Sequence, residues 1–205
     1  MSGAAVVPII DTIAELAGTA DAWISDIWGV LHNGRSAYPA AGEACARFRA
    51  GGGTVVLVTN APYPAAEVAA MLDRFGISRA AWDHIVTSGD VTRELIRPWG
   101  RRPLHHLGPD RYLGVFDGLD VNFCAPGEAD VVVCSGLLHD DTETPADYDD
   151  VLARFAARNV ALICVNPDLV VERGERVVYC AGALAEAYER LGGRVAYAGK
   201  PHAPI

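Results

Sequence analysis

Apolar runs that alternate with helical patterns are the feature that most constrains the fold of this chain. The run "TVVLVTN" at residues 54–60 is apolar almost throughout, and it is followed by "PAAEVAAMLDRFG", which Pro64 opens and Gly76 closes as a helix. Continuous Val, Ile and Leu strands separated by helices are typical of a parallel sheet that is covered on both faces. We therefore predict an α/β fold built on a parallel sheet.

Polar side chains follow several of these predicted strands. Strands are predicted in "AWISDI" and "HIVTS" as well, and helices in "YPAAGEACARFRAG" and "DVTRELIRPWG". Asp26, Thr59 and Asn60 each stand at the end of a predicted strand, and the late strand "RVAYAGKP" ends at Lys200. Because right-handed crossovers place the carboxyl ends of parallel strands on one edge, where ligands bind, we expect these four residues to converge there.

The middle of the chain has strands and helices of its own. The runs "PLHHLG", "ADVVVCSG", "VALICVN" and "ERVVYC" predict strands, with helices around 110–117 and 146–159. We predict a core domain of residues 1–100 and 179–205, and an α/β domain of residues 101–178 inserted between the third core helix and the last core strand.

Composition excludes several classes of partner. The net charge is −9 and no basic cluster exceeds Arg101-Arg102, which argues against a nucleic-acid partner. No apolar run approaches the roughly 20 residues of a membrane span, and "MSGAAVVPII" lacks the features of a secretory signal. The five cysteines have no CxxC spacing, so we expect reduced, buried thiols in a cytoplasmic protein rather than a zinc site or a disulfide framework.

Two charged features need an interpretation. The acidic stretch "HDDTETPADYDD" at residues 139–150 could bind a cation, but a polar loop that leads into the first turn of a helix explains it better. Among 17 lysines and arginines, Lys200 is the single lysine. Lysine is a compact point charge and arginine a wide planar fork, so a tight phosphate site is one place where arginine cannot replace it.

The strand-end residues supply the groups that phosphoryl transfer needs. An aspartate such as Asp26 can attack phosphorus and form an aspartyl-phosphate, which splits a difficult displacement into two steps. The phosphoryl oxygens must then be neutralised, usually by Mg²⁺, a lysine and hydroxyl or amide donors. Thr59, Asn60 and Lys200 are of those types. No G-x-G-x-x-G follows the first strand, which disfavours a dinucleotide-binding reductase.

The chain resembles the haloacid dehalogenase superfamily, specifically subclass IIA, the branch of sugar-phosphate and para-nitrophenyl-phosphate phosphatases with a large α/β cap inserted between the second and third motifs. The resemblance covers nearly the whole chain and rests on "DIWGVLHNG", "VLVTNAPYP", "IVTSGD", "ICVNPD" and "AGKPH". It implies a Rossmann-like core with an inserted cap, and a Mg²⁺-dependent hydrolase of a small phosphorylated metabolite. It also implies a homodimer formed through the cap.

The resemblance assigns a role to each matching residue. Asp26 corresponds to the nucleophile and a Mg²⁺ ligand, and the backbone carbonyl of Trp28 to a second ligand. Thr59 corresponds to the phosphate-binding hydroxyl with the Asn60 amide nearby, and Lys200 to the cation that holds nucleophile and phosphate together.

The "NPD" motif at residues 166–168 has two interpretations. By resemblance, Asn166 and Asp168 belong to the part of the cap that is lowered toward the substrate. The same three residues also form an ordinary Asn-Pro-Asp turn. We expect the role in the site.

Two features depart from the family pattern. Family phosphatases carry an aspartate two residues after the nucleophile as general acid and base, where this chain has Trp28. His32, His202 and Asp168 are candidates to replace it. If none does, the alternative function is a catalytically weakened protein that binds or senses a phosphometabolite. The fourth motif, an acidic pair that completes the metal site, has no match before Ile205, since "FDGLD" at 116–120 falls inside the proposed cap.

Overall fold

The structure is a computed structural model that describes residues 9–174, 176–203 and 205. Residues 1–8, which make up most of the stretch inspected for a secretory signal, lie outside the described part. Within the described ranges, no helix is long and apolar enough to span a bilayer. The strands form one three-stranded, one five-stranded and one two-stranded sheet.

The first sheet is parallel, as predicted, in the order β1-β2-β3. Ser25 at the end of β1 lies opposite Leu57, two residues before the end of β2, so both strands end on the same edge. Buried side chains from β2 and from the helices pack into one cluster, with Leu31, Val55 and Leu57 fully buried. The elements are β1 (Ala22–Ser25), α1 (Pro39–Ala50), β2 (Thr54–Thr59), α2 (Ala65–Arg74), β3 (His84–Thr87) and α3 (Ser88–Ile96).

The second sheet is also parallel and has the order β10-β7-β6-β4-β5. Strands β8 and β9 form a separate antiparallel hairpin. The predicted helix around 110–117 is a 3₁₀ helix over Asp110–Phe116, and that around 146–159 is a 3₁₀ turn followed by α4. The elements are β4 (Pro103–Leu107), β5 (Asn122–Phe123), β6 (Val131–Cys134), α4 (Asp149–Ala157), β7 (Ala161–Cys164), β8 (Val170–Arg173), β9 (Arg176–Tyr179), α5 (Ala181–Arg190) and β10 (Arg194–Tyr197).

The α/β class with parallel sheets is confirmed, but the prediction that residues 179–205 join the first sheet is wrong. β10 hydrogen bonds with β7, which lies in the segment predicted as the insert. The physical reason is the packing of α5, because Leu184 and Tyr188 are fully buried in one cluster with Leu152 and Phe155 of α4. Because α5 packs on the same face of the second sheet as α4, the strand that follows it, β10, lies at the edge of that sheet.

Helix α3 also packs on the second sheet. Ile96 at its end lies in a cluster with Leu104, Val131 and Ile163, on the face opposite to α4 and α5. The second sheet is therefore covered on both faces, as continuous apolar strands require. The unit built on this sheet begins with α3, before residue 101.

Most of the cysteines are buried, as the apolar runs around them predict. All five lie within the described residues as free thiols, and four of them are buried. Burial raises the pKa of the Cys134 and Cys180 thiols to about 12, which disfavours the thiolate at neutral pH.

Candidate active site

The ends of β1 and β2 bring Asp26, Thr59 and Asn60 to one edge of the first sheet, as the strand pattern predicts. The Asp26 Oδ1 accepts a hydrogen bond from the Ile27 N–H at 2.7 Å. The Thr59 side chain is buried, and its Oγ1 accepts from the Ala61 N–H at 3.2 Å. Asp26 itself is exposed, so a strand-end carboxylate is open to solvent beside a fixed hydroxyl.

Lys200 reaches this edge from the second sheet. Its Nζ lies 2.8 Å from Asp26 Oδ2 and donates to the Val58 carbonyl at 3.0 Å. Because an ammonium has three N–H donors, one remains for a ligand. The side chains of the pair are 35% and 44% exposed, and an ion pair at that exposure contributes only about 0–1 kcal/mol to stability. Stability alone therefore does not account for the pairing.

The side chain of Asn60 fixes the backbone of Lys200. Its Oδ1 accepts from the Lys200 N–H at 2.7 Å, and its Nδ2 donates to the Lys200 carbonyl at 3.0 Å. The same Nδ2 donates to Asp168 Oδ1 at 2.9 Å. The amide predicted to bind phosphate is thus committed to holding Lys200 and Asp168 in place.

The close contact between the Lys200 backbone and the Asn60 side chain requires glycine at position 199. Its φ is +119°, a region that favours glycine. A Cβ at this position would overlap Ser88 Oγ and lie 2.7 Å from Asn60 Oδ1. Any side chain here would push Lys200 away from the Asn60 amide.

The "NPD" motif forms the predicted turn and also borders the cleft. Asn166 Oδ1 accepts from the Asp168 N–H at 2.9 Å, which closes the Asn-Pro-Asp turn. This turn positions the Asp168 carboxylate so that it accepts a hydrogen bond from the Asn60 side chain. The motif therefore joins the second sheet to the strand ends of the first.

Trp28 lies over the loop that follows β1. A Cβ on Gly34 would overlap its indole ring, and the ring meets His32 edge to face at 5.3 Å between centroids. Among the described residues, the backbone carbonyl of Trp28 accepts no hydrogen bond. It remains free to act as a ligand.

The three candidates for the missing general acid and base have different surroundings. His32 is buried and stacked on Phe75, its Nδ1 accepts from the Gly34 N–H, and burial lowers its pKa. His202 stacks on Tyr197 at 4.2 Å. Asp168 is the candidate that is hydrogen bonded to another predicted site residue, Asn60.

A cleft of about 1030 Å³ surrounds the Asp26–Lys200 pair and is walled by both sheets. All residues predicted for the site border it: Asp26, Trp28, Thr59, Asn60, Asn166, Asp168 and Lys200. In the described ranges, no group of three or more His, Cys, Asp or Glu side chains could hold a metal ion.

Sequence reasoning missed a second group of residues in the same cleft. These are the aromatic side chains of Tyr63 and Tyr112 and the ion-paired Arg111, Asp140 and Arg173. Asp140 belongs to the acidic stretch, but its arginine partners stand on other segments, so no spacing in the sequence links the three.

The fold is that of an α/β enzyme, and the cleft lies at the carboxyl ends of parallel strands. The model of the haloacid dehalogenase-like hydrolases matches residues 23–122. The crystal structure of a hydrolase of the haloacid dehalogenase-like family from Brucella suis 1330 is 47% identical, with a TM-score of 0.91, and the match covers 96% of this chain and 72% of that one. The chain belongs to the haloacid dehalogenase-like hydrolase family, as the motifs predicted.

More distant structures share the fold. A 4-nitrophenylphosphatase from Thermotoga maritima is 23% identical, with a TM-score of 0.68 over 91% of this chain and 70% of that one. A glycerol phosphate phosphatase from Mycobacterium tuberculosis, solved in complex with magnesium, is 21% identical, with a TM-score of 0.68 over 92% of this chain and 57% of that one. No curated protein matches the sequence.

Proposed function

We propose that this protein is a Mg²⁺-dependent phosphatase of small phosphorylated metabolites that acts through an aspartyl-phosphate on Asp26. The observation that carries the proposal is the 2.8 Å pair between Asp26 Oδ2 and Lys200 Nζ, open to a cleft that also presents Thr59. The fold shared with a 4-nitrophenylphosphatase and a glycerol phosphate phosphatase supports the same class of substrate.

The proposed reaction has two steps. An Asp26 oxygen attacks phosphorus, the bond to the leaving oxygen breaks, and that oxygen takes a proton. Water then attacks the phosphorus of the aspartyl-phosphate, which releases phosphate and restores the carboxylate. The remaining Lys200 N–H and the Thr59 hydroxyl neutralise the phosphoryl oxygens in both steps.

The groups around Asp26 fit a magnesium ion that keeps most of its waters. Magnesium is usually bound by one or two carboxylates together with substrate phosphate. Asp26 Oδ1 accepts one hydrogen bond and Oδ2 is ion-paired with Lys200, so both oxygens retain a lone pair, and the Trp28 carbonyl is the second ligand that we propose. When bound, the ion would neutralise charge on the phosphoryl group.

Trp28 makes the reaction depend on the leaving group. An indole N–H donates a hydrogen bond but does not exchange protons. General acid–base assistance is worth about 10²–10⁴-fold, so esters with poor leaving groups lose most of that factor, whereas nitrophenolate needs little protonation. Asp168 is the residue that we propose supplies the remaining assistance.

Hydrolysis of a panel of phosphate monoesters tests the proposal. We expect phosphate release by the wild type with Mg²⁺, its loss with a chelator, and its loss in Asp26→Asn. Asp21→Asn, an exposed aspartate at the other end of β1, is the matched control and should keep full activity. Equal rates for wild type and Asp26→Asn would overturn the proposal.

The substitution at position 28 also favours a second candidate function, binding of a phosphometabolite without turnover. His32 is poorly placed to act as general acid and base in place of the aspartate, because its ring is buried and its Nδ1 already accepts a hydrogen bond. Saturable binding of the panel esters by calorimetry, with no phosphate released by the wild type, would select this function over the first.

A further inference from the structure

Two arginines share one carboxylate in the cleft. Arg173 donates through Nη1 and Nη2 to the two oxygens of Asp140, at 3.2 and 2.7 Å, and Arg111 donates through Nη2 to Asp140 Oδ2 at 2.6 Å. The Asp140 side chain is only 10% exposed, whereas the arginines are 37% and 41% exposed. Asp141 lies 3.9 Å from Arg173 and 3.7 Å from Arg176, so the whole group of three arginines and two aspartates carries one excess positive charge.

The guanidinium of Arg111 keeps hydrogen-bonding capacity for a ligand. It has five N–H donors, and among the described residues its hydrogen bonds use Nη2 alone. The group is nevertheless fixed, since it lies over the Tyr112 ring at 4.7 Å, and Tyr112 packs against Tyr63. A cation that is oriented before binding loses little side-chain entropy when it meets an anion.

The cleft that the two arginines border is partly apolar. Apolar side chains border the cleft near the arginines, including Leu137, Val171 and Val178. Glu172 also borders it, but residues alternate along a strand, so its side chain leaves β8 on the face opposite to Arg173. Charge-assisted hydrogen bonds are stronger than neutral ones, so the two guanidinium groups favour an oxyanion as their ligand.

We propose that Arg111 and Arg173 form a second anion subsite, which makes the protein select phosphate monoesters that carry a further oxyanion. The two arginines and the Asp26–Lys200 pair border the same cleft of about 1030 Å³, and the proposal requires one ligand to reach both. This inference rests on the proposed function for the position of the first phosphate. The shared chemistry of the second group is an oxyanion, either a carboxylate or a phosphate.

Binding to matched pairs of ligands tests the subsite. Calorimetry on Asp26→Asn with Mg²⁺ avoids consumption of the ligand. 3-Phosphoglycerate against glycerol 3-phosphate reports a carboxylate, and fructose 1,6-bisphosphate against fructose 6-phosphate reports a second phosphate. In at least one pair, we expect the ligand with two anionic groups to bind about 10- to 100-fold more tightly than the ligand with one.

Substitutions assign that preference to the two arginines. Arg111→Gln and Arg173→Gln are each added to Asp26→Asn. Each should bring the two affinities of the pair within about twofold of each other, while the ligand with one anionic group keeps its affinity. Arg176→Gln is the matched control, because Arg176 stands on the same hairpin and pairs with Asp141 but is not among the residues that line the cleft, and it should leave the preference intact. Thermal unfolding checks that each variant is folded, and if Arg173→Gln is not, Arg111→Gln decides.

The outcomes separate this inference from the proposed function. A chain that hydrolyses phosphate esters but shows no preference in either pair overturns the subsite and leaves the phosphatase. A chain that hydrolyses none but shows the arginine-dependent preference keeps the subsite and loses the phosphatase. A preference that both glutamine variants retain, or no binding of any of the four ligands, overturns the subsite.

Discussion

The Lys200 ammonium lies 2.8 Å from the Asp26 carboxylate, and the two residues reach that point from different sheets. Asp26 follows β1 of the three-stranded sheet, whereas Lys200 follows β10 at the edge of the five-stranded sheet. Asn60 is the link between them, because it directly follows the central strand of the first sheet and its side chain binds the backbone of Lys200. The geometry of the pair therefore depends on how the two sheets pack.

Removal of the Asn60 amide should loosen Lys200. Asn60→Ala deletes the hydrogen bonds to both backbone groups of Lys200, and we expect the free energy of unfolding to fall by about 2 kcal/mol. We also expect kcat/KM to fall at least about 10-fold, since small displacements of a catalytic group are costly. Denaturant unfolding and steady-state kinetics measure the two effects. Asn122→Ala, at an exposed position of β5, should change neither, and wild-type kinetics for Asn60→Ala would contradict this role.

A methyl group on Gly199 should displace Lys200 as well. Gly199→Ala combines an unfavourable φ of +119° with overlap on Ser88, so we expect a loss of stability above about 1 kcal/mol together with a loss of activity. Gly52→Ala isolates the backbone term, because Gly52 has a φ of +97° and no neighbouring atom within 4 Å of the point that a Cβ would occupy. That control should lose stability only. Full activity in Gly199→Ala would show that the close approach is not needed.

An aspartate at position 28 should restore proton transfer. We expect Trp28→Asp to raise kcat/KM for alkyl phosphates by up to about 10²–10⁴-fold, with a smaller gain for 4-nitrophenyl phosphate. Trp28→Asn also removes the indole but exchanges no proton, so it should show no such difference between esters. The ratio of the two substrates in each variant is the measurement. An equal gain in both variants would assign the effect to lost bulk instead of proton transfer.

His106 should make stability depend on pH. Burial, with a smaller effect of His105, lowers the pKa of His106 to about 4, and its Nε2 lies 2.7 Å from Ser135 Oγ. Between pH 6.5 and pH 4, His106 therefore binds a proton in the unfolded chain, where its pKa is the ordinary 6.5, but not in the folded chain. The free energy of unfolding should therefore fall as the pH drops from 6.5 to 4, by at most about 1.4 kcal/mol per pH unit from this group.

His106→Gln should remove that part of the pH dependence. Denaturant unfolding between about pH 4 and pH 7 compares the variant with the wild type, and the difference between them isolates His106 from the carboxylates. His84→Gln, at the exposed start of β3, should keep the wild-type slope. Identical slopes in all three proteins would contradict a neutral, buried His106.

The strand-end residues could be predicted because their positions follow from local pattern. The apolar run of β2 marks a parallel strand, and the rule that such strands end on one edge then places Asp26 beside Thr59 and Asn60. The same rule placed Lys200 with them, although its strand, β10, belongs to the second sheet. No long-range packing had to be known for these steps.

The partner of β10 could not be predicted in that way. A short run such as "RVAY" fits the edge of either sheet, and the choice depends on the burial of Leu184 and Tyr188 against α4. The group formed by Arg111, Asp140 and Arg173 was missed for the same reason. Its members lie on three separate segments, and only the tertiary structure brings them together.

Mass spectrometry of the acid-quenched protein tests the central claim most directly. With an excess of 4-nitrophenyl phosphate and Mg²⁺, we predict that the wild-type chain gains the mass of one phosphoryl group on the peptide that contains Asp26, and that hydroxylamine removes it. Lys200→Ala should carry less of this adduct, and Asp26→Asn none. Turnover by the wild type with no adduct on that peptide, or the same adduct in Asp26→Asn, would contradict the account.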